Sequence, residues 1–143
     1  MQVVYSVVCE DARMRPDGRV DIEGVFNELQ APGFPAQQDH LVLVAAIEWG
    51  PDVEGTVEFD LELLAPGDST LLRAQAETEV SREIDSPIAP QTRLILPLDE
   101  VVFPQNGRYR FRIQAAEESL PLADFHVVLK PDEPPVKIEI LTD

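Results

Sequence analysis

Three carboxylates stand at every second position of one short segment, as Glu58, Asp60 and Glu62. In an extended strand such residues share one face, with about 7 Å between successive members. Paired carboxylates carry out acid–base chemistry on glycosidic bonds. That chemistry also requires a cleft and two unequal environments, whereas this pattern predicts a flat and solvated strand face. We therefore interpret the three residues as an acidic face and not as a catalytic pair.

Cys9 and the two histidines, His40 and His126, are the other side chains with an obvious chemical capacity. The carboxylates of Glu10 and Asp11 follow Cys9 directly, and nearby negative charge weakens a thiol nucleophile. The apolar strand around Cys9 predicts a buried structural thiol. Each histidine stands alone in strand-like sequence, without the spacing of a zinc site. The sequence predicts no cofactor, no catalytic residue and no enzymatic activity.

Acidic loops leave calcium as the best metal hypothesis. One group comprises Glu10, Asp11 and Asp17, and a second comprises Asp52 and Glu54. Calcium needs six to eight converging oxygen ligands, and neither group has the Asp-x-Asp-x-Asp spacing of a single calcium loop. No metal ligand is therefore predicted. A carboxylate-based or calcium-dependent enzyme or binding domain remains the alternative function.

The elements that carry these residues are predicted to be strands. Apolar and polar residues alternate with a period of two along most of the chain, turn signals separate the runs, and no convincing helical period is present. The pattern predicts an all-β protein, a single β-sandwich of about eight to nine mostly antiparallel strands with immunoglobulin-like topology. Strands are predicted at residues 2–9, 20–26, 40–49, 57–63, 70–79, 94–96, 108–116, 122–130 and 136–140.

Several local signals refine this prediction. Residues 30–39 and 81–91 are predicted loops, and Pro97 is expected to end a short strand. Tyr109 opens a strand after a turn, as in a tyrosine corner, where the phenol bonds to the upstream backbone. The predicted sandwich domain spans 1–130, and 131–143 form a proline-containing linker and a short C-terminal strand that packs on the same domain.

Charge is ordered along the chain. No lysine or arginine lies between Arg19 and Arg73, whereas Arg108, Arg110 and Arg112 line one face of one strand. One interpretation is a ladder of cross-strand ion pairs within a sheet. The other is an interaction surface, on which such charges determine register and partner choice.

The strand at 40–49 is apolar on both faces, although only one face of a sandwich strand meets the core. Its outer stripe must be covered by a loop, by residues 136–141 or by another chain. Immunoglobulin-like order would place it between the acidic and the basic strands, where a two-fold homodimer could match the opposite charges. The candidate interaction surface comprises Val42, Val44, Ala46, Glu58, Asp60, Glu62, Arg108, Arg110 and Arg112.

The composition excludes some partners. The chain of 143 residues has a formal net charge of −16, which repels nucleic acid. No apolar run reaches the length of about 18 residues that a membrane span needs. A single cysteine and the lack of a signal-peptide pattern favour the reducing cytoplasm.

Several segments resemble a family of small uncharacterised bacterial proteins, over most of residues 3–129. The specific parts are the Cys-Glu-Asp and Gly-Val-Phe pieces. The matching segments are 7–13, 16–19, 22–26, 34–35, 103–104 and 107–111. The resemblance implies no assigned activity and supplies no catalytic residues. We therefore expect a non-catalytic protein-binding or assembly module whose partner is another protein or a second copy of the chain, with no nucleic-acid or membrane partner.

Overall fold

The structure is a computed structural model that describes residues 1–131 and 138–142. Within these residues the chain forms strands and no helix, because its apolar residues follow a period of two. None of them forms a helix long and apolar enough to cross a membrane. The strands are β1 (Gln2–Met14), β2 (Val20–Val25), β3 (Glu28–Ala31), β4 (Ala36–Glu48), β5 (Gly55–Leu64), β6 (Thr70–Val80), β7 (Gln91–Phe103), β8 (Gly107–Ala115) and β9 (Glu118–Leu129).

The strands form two sheets. One has four strands in the order β2-β1-β4-β7, and the other has five in the order β3-β9-β8-β5-β6. All paired strands are antiparallel except β3 and β9, which are parallel. The two sheets share one hydrophobic core, to which β4 contributes Leu41, Leu43, Ala45 and Ile47, each with no exposed surface. A hydrogen bond of 2.9 Å from the backbone N–H of Ala123 to Oγ of Ser6 also joins them.

The tyrosine corner is confirmed. The Tyr109 hydroxyl donates to the carbonyl of Gln105 at 2.6 Å and accepts from the Gln105 N–H at 3.3 Å. The ring is fully buried and packs against Phe103 and Phe125, at centroid distances of 4.8 and 5.9 Å. The hydroxyl therefore provides hydrogen-bond partners for the backbone of the turn that precedes β8, while the ring fills the core.

Some predicted boundaries are wrong. The predicted loop at 30–39 contains the end of β3 and the start of β4. Pro97 does not end a strand but lies inside β7, opposite Val42. Proline is tolerated there because β7 is an edge strand and needs ladder hydrogen bonds on one side only.

The predicted C-terminal strand at 136–140 is not present in its described part. Residues 138–142 are exposed and have no strand conformation, with Ile138 81% exposed and Ile140 85% exposed. Residues 136 and 137 lie outside the described residues. The count of nine strands therefore agrees with the prediction, but β3 replaces the expected last strand.

Candidate interaction surface

The nine residues of the predicted surface do not lie together. Val42, Val44 and Ala46 are on β4, in the four-stranded sheet, whereas the acidic and arginine residues are on β5 and β8 of the other sheet. The expected position of β4 between the two charged strands is wrong. β5 and β8 are direct neighbours, and β4 lies between β1 and β7.

The outer stripe of β4 is covered by the chain itself. Val42 is 1% exposed, and Val44 and Ala46 are 0% exposed. Val42 and Val44 form a small second core with Cys9, on the face opposite to the main core. Its partly buried apolar partners are Val7, Ala12, Val20, Ile22 and Ile95. This stripe therefore offers no surface to a second chain.

The cover is the hairpin of β1 and β2. β1 pairs with β4 only over Gln2–Cys9, and beyond Cys9 it pairs with β2 instead. The end of the hairpin reaches the opposite edge of the sheet, where a Cβ atom at Gly18 would lie 3.9 Å from Nη1 of Arg93 on β7. The hairpin thus crosses the outer face of the sheet. The three kinds of cover expected from the sequence were a loop, residues 136–141 and another chain, and this hairpin of two paired strands is none of them.

Cys9 is a residue of β1 and lies in this second core, and the prediction that its thiol is buried is confirmed. Its Sγ lies 3.6 Å from the carbonyl oxygen of Val42 and 3.4 Å from that of Asp11. Burial raises the pKa of the Cys9 thiol, and the negative charge of Asp11 adds to the effect. The side chain is therefore protonated and shielded at neutral pH.

The charged stripes form ion pairs with neighbouring strands of their own sheet and, at Asp68, with the turn between β5 and β6. Arg112 Nη2 lies 2.7 Å from Glu62 Oε2, directly across β8 and β5. Asp60 pairs with Arg73, and Arg110 pairs with Asp68. The remaining stripe residue, Arg108, bonds through Nε to Asp124 at 2.7 Å. The structure thus contains the ion-pair ladder that the sequence left as one of two interpretations.

Glu58 is the exception on this face. It stands directly opposite Glu77 of β6, and both side chains are exposed. No residue of the described part of the chain forms a hydrogen bond or ion pair with either carboxylate. Like charges at directly opposed positions destabilise a sheet. Among residues 1–131 and 138–142, no cation forms an ion pair with these two facing acids.

The edge strand β6 carries one member of this pair. It runs for 11 residues and contains no proline, no glycine and no positive φ angle. The other edge strands carry features that hinder pairing with a further strand. β3 has 4 residues, β2 contains Gly24 at φ 66°, and β7 contains Pro97 and Glu100 at φ 54°. Proteins commonly protect edge strands with such devices. On β6 the register with β5 skips Leu71, and Arg73, Glu77 and Glu79 carry charge, but residues 72–80 form a regular ladder that contains no proline or glycine.

Shallow depressions lie beside β6. One of about 340 Å³ is lined by Glu58, Phe59, Asp60, Gln75, Ala76 and Glu77. A second, of about 380 Å³, shares four of these residues and extends to Gln114, Ala116, Glu117, Glu118 and Ser119. Sequence reasoning did not single out β6. The lack of proline and glycine over residues 70–80 was the available signal, but it acquires meaning only once β6 is known to be an edge.

The other predicted candidates lie elsewhere. Nδ1 of His40 is 2.6 Å from Oδ1 of Asp99, and Nε2 is 3.9 Å from Oδ1 of Asp11, so this histidine is not isolated as the sequence suggested. His126 is exposed on β9. Within residues 1–131 and 138–142, no group of three or more His, Cys, Asp or Glu side chains is arranged to hold a metal ion, and this includes the two acidic loop groups.

A protein-family model matches most of the chain. The model of DUF6941, described as a family of unknown function, matches residues 4–128. The match begins within β1 and ends within β9, so it covers both sheets. A comparison with curated proteins finds no match.

Proposed function

Since the chain belongs to DUF6941, a family of unknown function, its role must be argued from its own surface, and we propose that it is a non-catalytic protein-binding module. We propose that it binds an extended segment of a protein partner, which adds as a strand to the free edge of β6. The observation that carries this proposal is the edge position of β6, whose residues 72–80 form a regular ladder with β5 on one side and, among the described strands, have no neighbour on the other. Strand addition uses main-chain hydrogen bonds for affinity and neighbouring side chains for specificity.

The charges near β6 support the same role. Glu58 and Glu77 form an exposed acidic pair beside the edge, and no cation of the described residues pairs with it, so a bound segment with a cation at this position would relieve the repulsion. By contrast, the carboxylates of Asp60 and Glu62 are engaged by Arg73 and Arg112. Because both carboxylates are held in ion pairs within the sheet, this arrangement favours a binding role over acid–base catalysis.

The strand pairings support an immunoglobulin-like connectivity, which we propose for this sandwich. β4 lies between β1 and β7 in one sheet, and β8 lies between β5 and β9 in the other. This arrangement is comparable with the A-B-E and C-F-G strand groups of immunoglobulin domains. In this comparison β6 follows the C strand at the outer edge of its sheet.

We also propose a bacterial and cytoplasmic setting. The resemblance described above supports a bacterial source. The lone buried thiol of Cys9 supports a reducing compartment.

The binding proposal is tested with selected peptides. A library of random 12-residue peptides displayed on phage is selected against the wild-type protein, and the recovered peptides are measured by fluorescence polarisation. Ala76 is an exposed residue of β6 on the inward face, opposite Phe59. Ala76→Lys therefore adds an inward-pointing charge, which is a device that blocks strand addition, whereas Arg73 and Glu77 lie on the outer face. We expect this substitution to weaken peptide binding by about tenfold or more.

Val102→Lys is the matched control, because Val102 is 48% exposed on the other long edge strand, β7. This variant should bind the peptides as the wild type does. Peptides that bind the Ala76→Lys variant as tightly as the wild type would contradict the proposal, as would a selection that yields no binder.

A further inference from the structure

We infer that the segment that adds to β6 is β6 of a second copy of this chain, in antiparallel orientation around a two-fold axis at Gln75. This inference rests on the proposed function, because it names the occupant of the same edge. Pairing of this kind joins two five-stranded sheets into one continuous sheet. Each copy contributes the same strand, as a two-fold interface requires.

The faces of β6 restrict the possible registers. Arg73, Gln75 and Glu77 alternate along the outer face, whereas Ala74 and Ala76 face the other way. Because side chains alternate with a period of two, a continuous sheet must pair outer residues with outer residues. The axis must therefore pass through a residue of β6 and not between two residues.

Charge selects among the remaining registers. An axis at Gln75 places Arg73 of each copy opposite Glu77 of the other, which gives two opposite-charge pairs. An axis at Arg73 or at Glu77 would place identical charges opposite each other, which is unfavourable. An axis at Ala76 would place Arg73 opposite Glu79 but Gln75 opposite Glu77, so the facing acids Glu58 and Glu77 would gain no directly opposed cation from the second copy.

The selected register also resolves the opposed acids of the single chain. Glu77 faces Glu58 across the β5–β6 ladder without a cation from the described residues. In the pair of chains, Arg73 of the second copy lies opposite Glu77 and supplies positive charge to both acids. Arg73 is 54% exposed while it pairs with Asp60, so its guanidinium retains a solvent-facing side for this contact.

The size of the contact limits its strength. Edge-to-edge pairing along one strand falls in the class of small and transient interfaces. The net charge of −16 opposes association at long range, and salt at 0.15 M screens this repulsion over about 8 Å. We expect a dissociation constant in the micromolar range, so the dimer should be populated at about 100–300 µM protein.

The test is sedimentation velocity of the full chain with reversed charges. In an Arg73→Glu dimer or a Glu77→Arg dimer, both cross-axis pairs become like-charge pairs, and each variant should dimerise about tenfold more weakly than the wild type. A mixture of the two variants restores both opposite-charge pairs and should form a heterodimer with wild-type affinity. Both variants must be folded for this result, so the mixture also controls for misfolding.

Arg93→Glu provides the matched control. Arg93 is an exposed arginine on the other long edge strand, β7, and its reversal should leave the dimer unchanged. A wild-type chain that stays monomeric at 300 µM overturns the inference. A dimer that tolerates Arg73→Glu, or a mixture that stays monomeric, also overturns it.

These outcomes are separate from those of the proposed function. A monomeric wild type whose selected peptides lose affinity on Ala76→Lys leaves the β6 edge as a binding site and removes only the second copy as its occupant. If peptides bind without regard to Ala76 and the chain is monomeric, both proposals fail.

Discussion

The ion pair between Glu62 and Arg112 is expected to stabilise the sheet more than its exposed neighbours do. Glu62 is 5% exposed, and its side chain lies 2.7 Å from an arginine side chain that is 34% exposed. Exposed pairs contribute about 0.2–1 kcal/mol, whereas breaking a buried pair costs about 3–5 kcal/mol. The energy of a pair with one buried and one half-buried partner should lie between these two values. We therefore expect a coupling energy of about 1–2 kcal/mol.

A double-mutant cycle measures this coupling. Glu62→Ala, Arg112→Ala and the double variant are unfolded with urea at pH 7, and the coupling is the departure of the double variant from additivity. Glu62→Ala alone should be costly, because Nε of Arg112 is buried and already lacks a partner among the described residues. The double variant should recover part of that loss because no unpaired charge remains.

The pair of Arg108 and Asp124 is the control, since it joins the same strand β8 to β9 and both side chains are exposed, at 55% and 38%. Its coupling should be within about 0.2–1 kcal/mol and should fall more steeply with salt. Equal couplings for the two pairs, or equal salt dependence, would refute the argument from burial.

Three further predictions concern single residues. Tyr109→Phe removes the corner hydrogen bonds and should lower the free energy of unfolding by about 1–2 kcal/mol at pH 7, measured with urea. Burial raises the pKa of the Tyr109 phenol, so the unfolded chain releases this proton first and wild-type stability should fall as pH rises above about 10, whereas the Phe variant lacks this component. If the free energy of unfolding of the two proteins fell identically above about pH 10, this account would be contradicted. The raised pKa and burial of Cys9 predict that a thiol reagent modifies the native protein only as fast as it opens, and rapid stoichiometric modification at pH 8 would be the contrary result. Gly107 has a φ angle of 137°, and a Cβ atom there would lie 2.6 Å from Cγ of Pro66, so Gly107→Ala should destabilise by about 1–3 kcal/mol in thermal and urea unfolding. Gly33→Ala, with open space around its Cβ position, should be nearly neutral, and equal effects at the two glycines would contradict the steric explanation.

Local patterns were sufficient for much of the fold. Alternation over 57–63 and 108–116 predicted β5 and β8 with boundaries close to those observed. The tyrosine corner followed from a turn and a tyrosine only a few residues apart. Burial of Cys9 followed from its apolar strand. In each case the responsible interactions lie within one strand or one turn, so a short stretch of sequence contains the needed information.

The identity of neighbouring strands required the tertiary structure. The same apolar pattern in β4 is compatible with a protein partner, a C-terminal cover or the β1–β2 hairpin, and only long-range packing of Val20 and Ile22 on Val42 and Val44 distinguishes them. Pro97 illustrates the same limit, because proline ends a central strand but is accepted at an edge.

The charges show this division most clearly. The sequence by itself determined that acids and arginines alternate along particular strands, because side-chain direction follows from position in a strand. Which charges meet depends on sheet order and register, and those are established by contacts between distant segments. Thus Glu62 finds Arg112 across 50 residues, while Glu58, four residues earlier on the same face, meets Glu77. Only the folded sheet distinguishes the paired acid from the one left at the β6 edge.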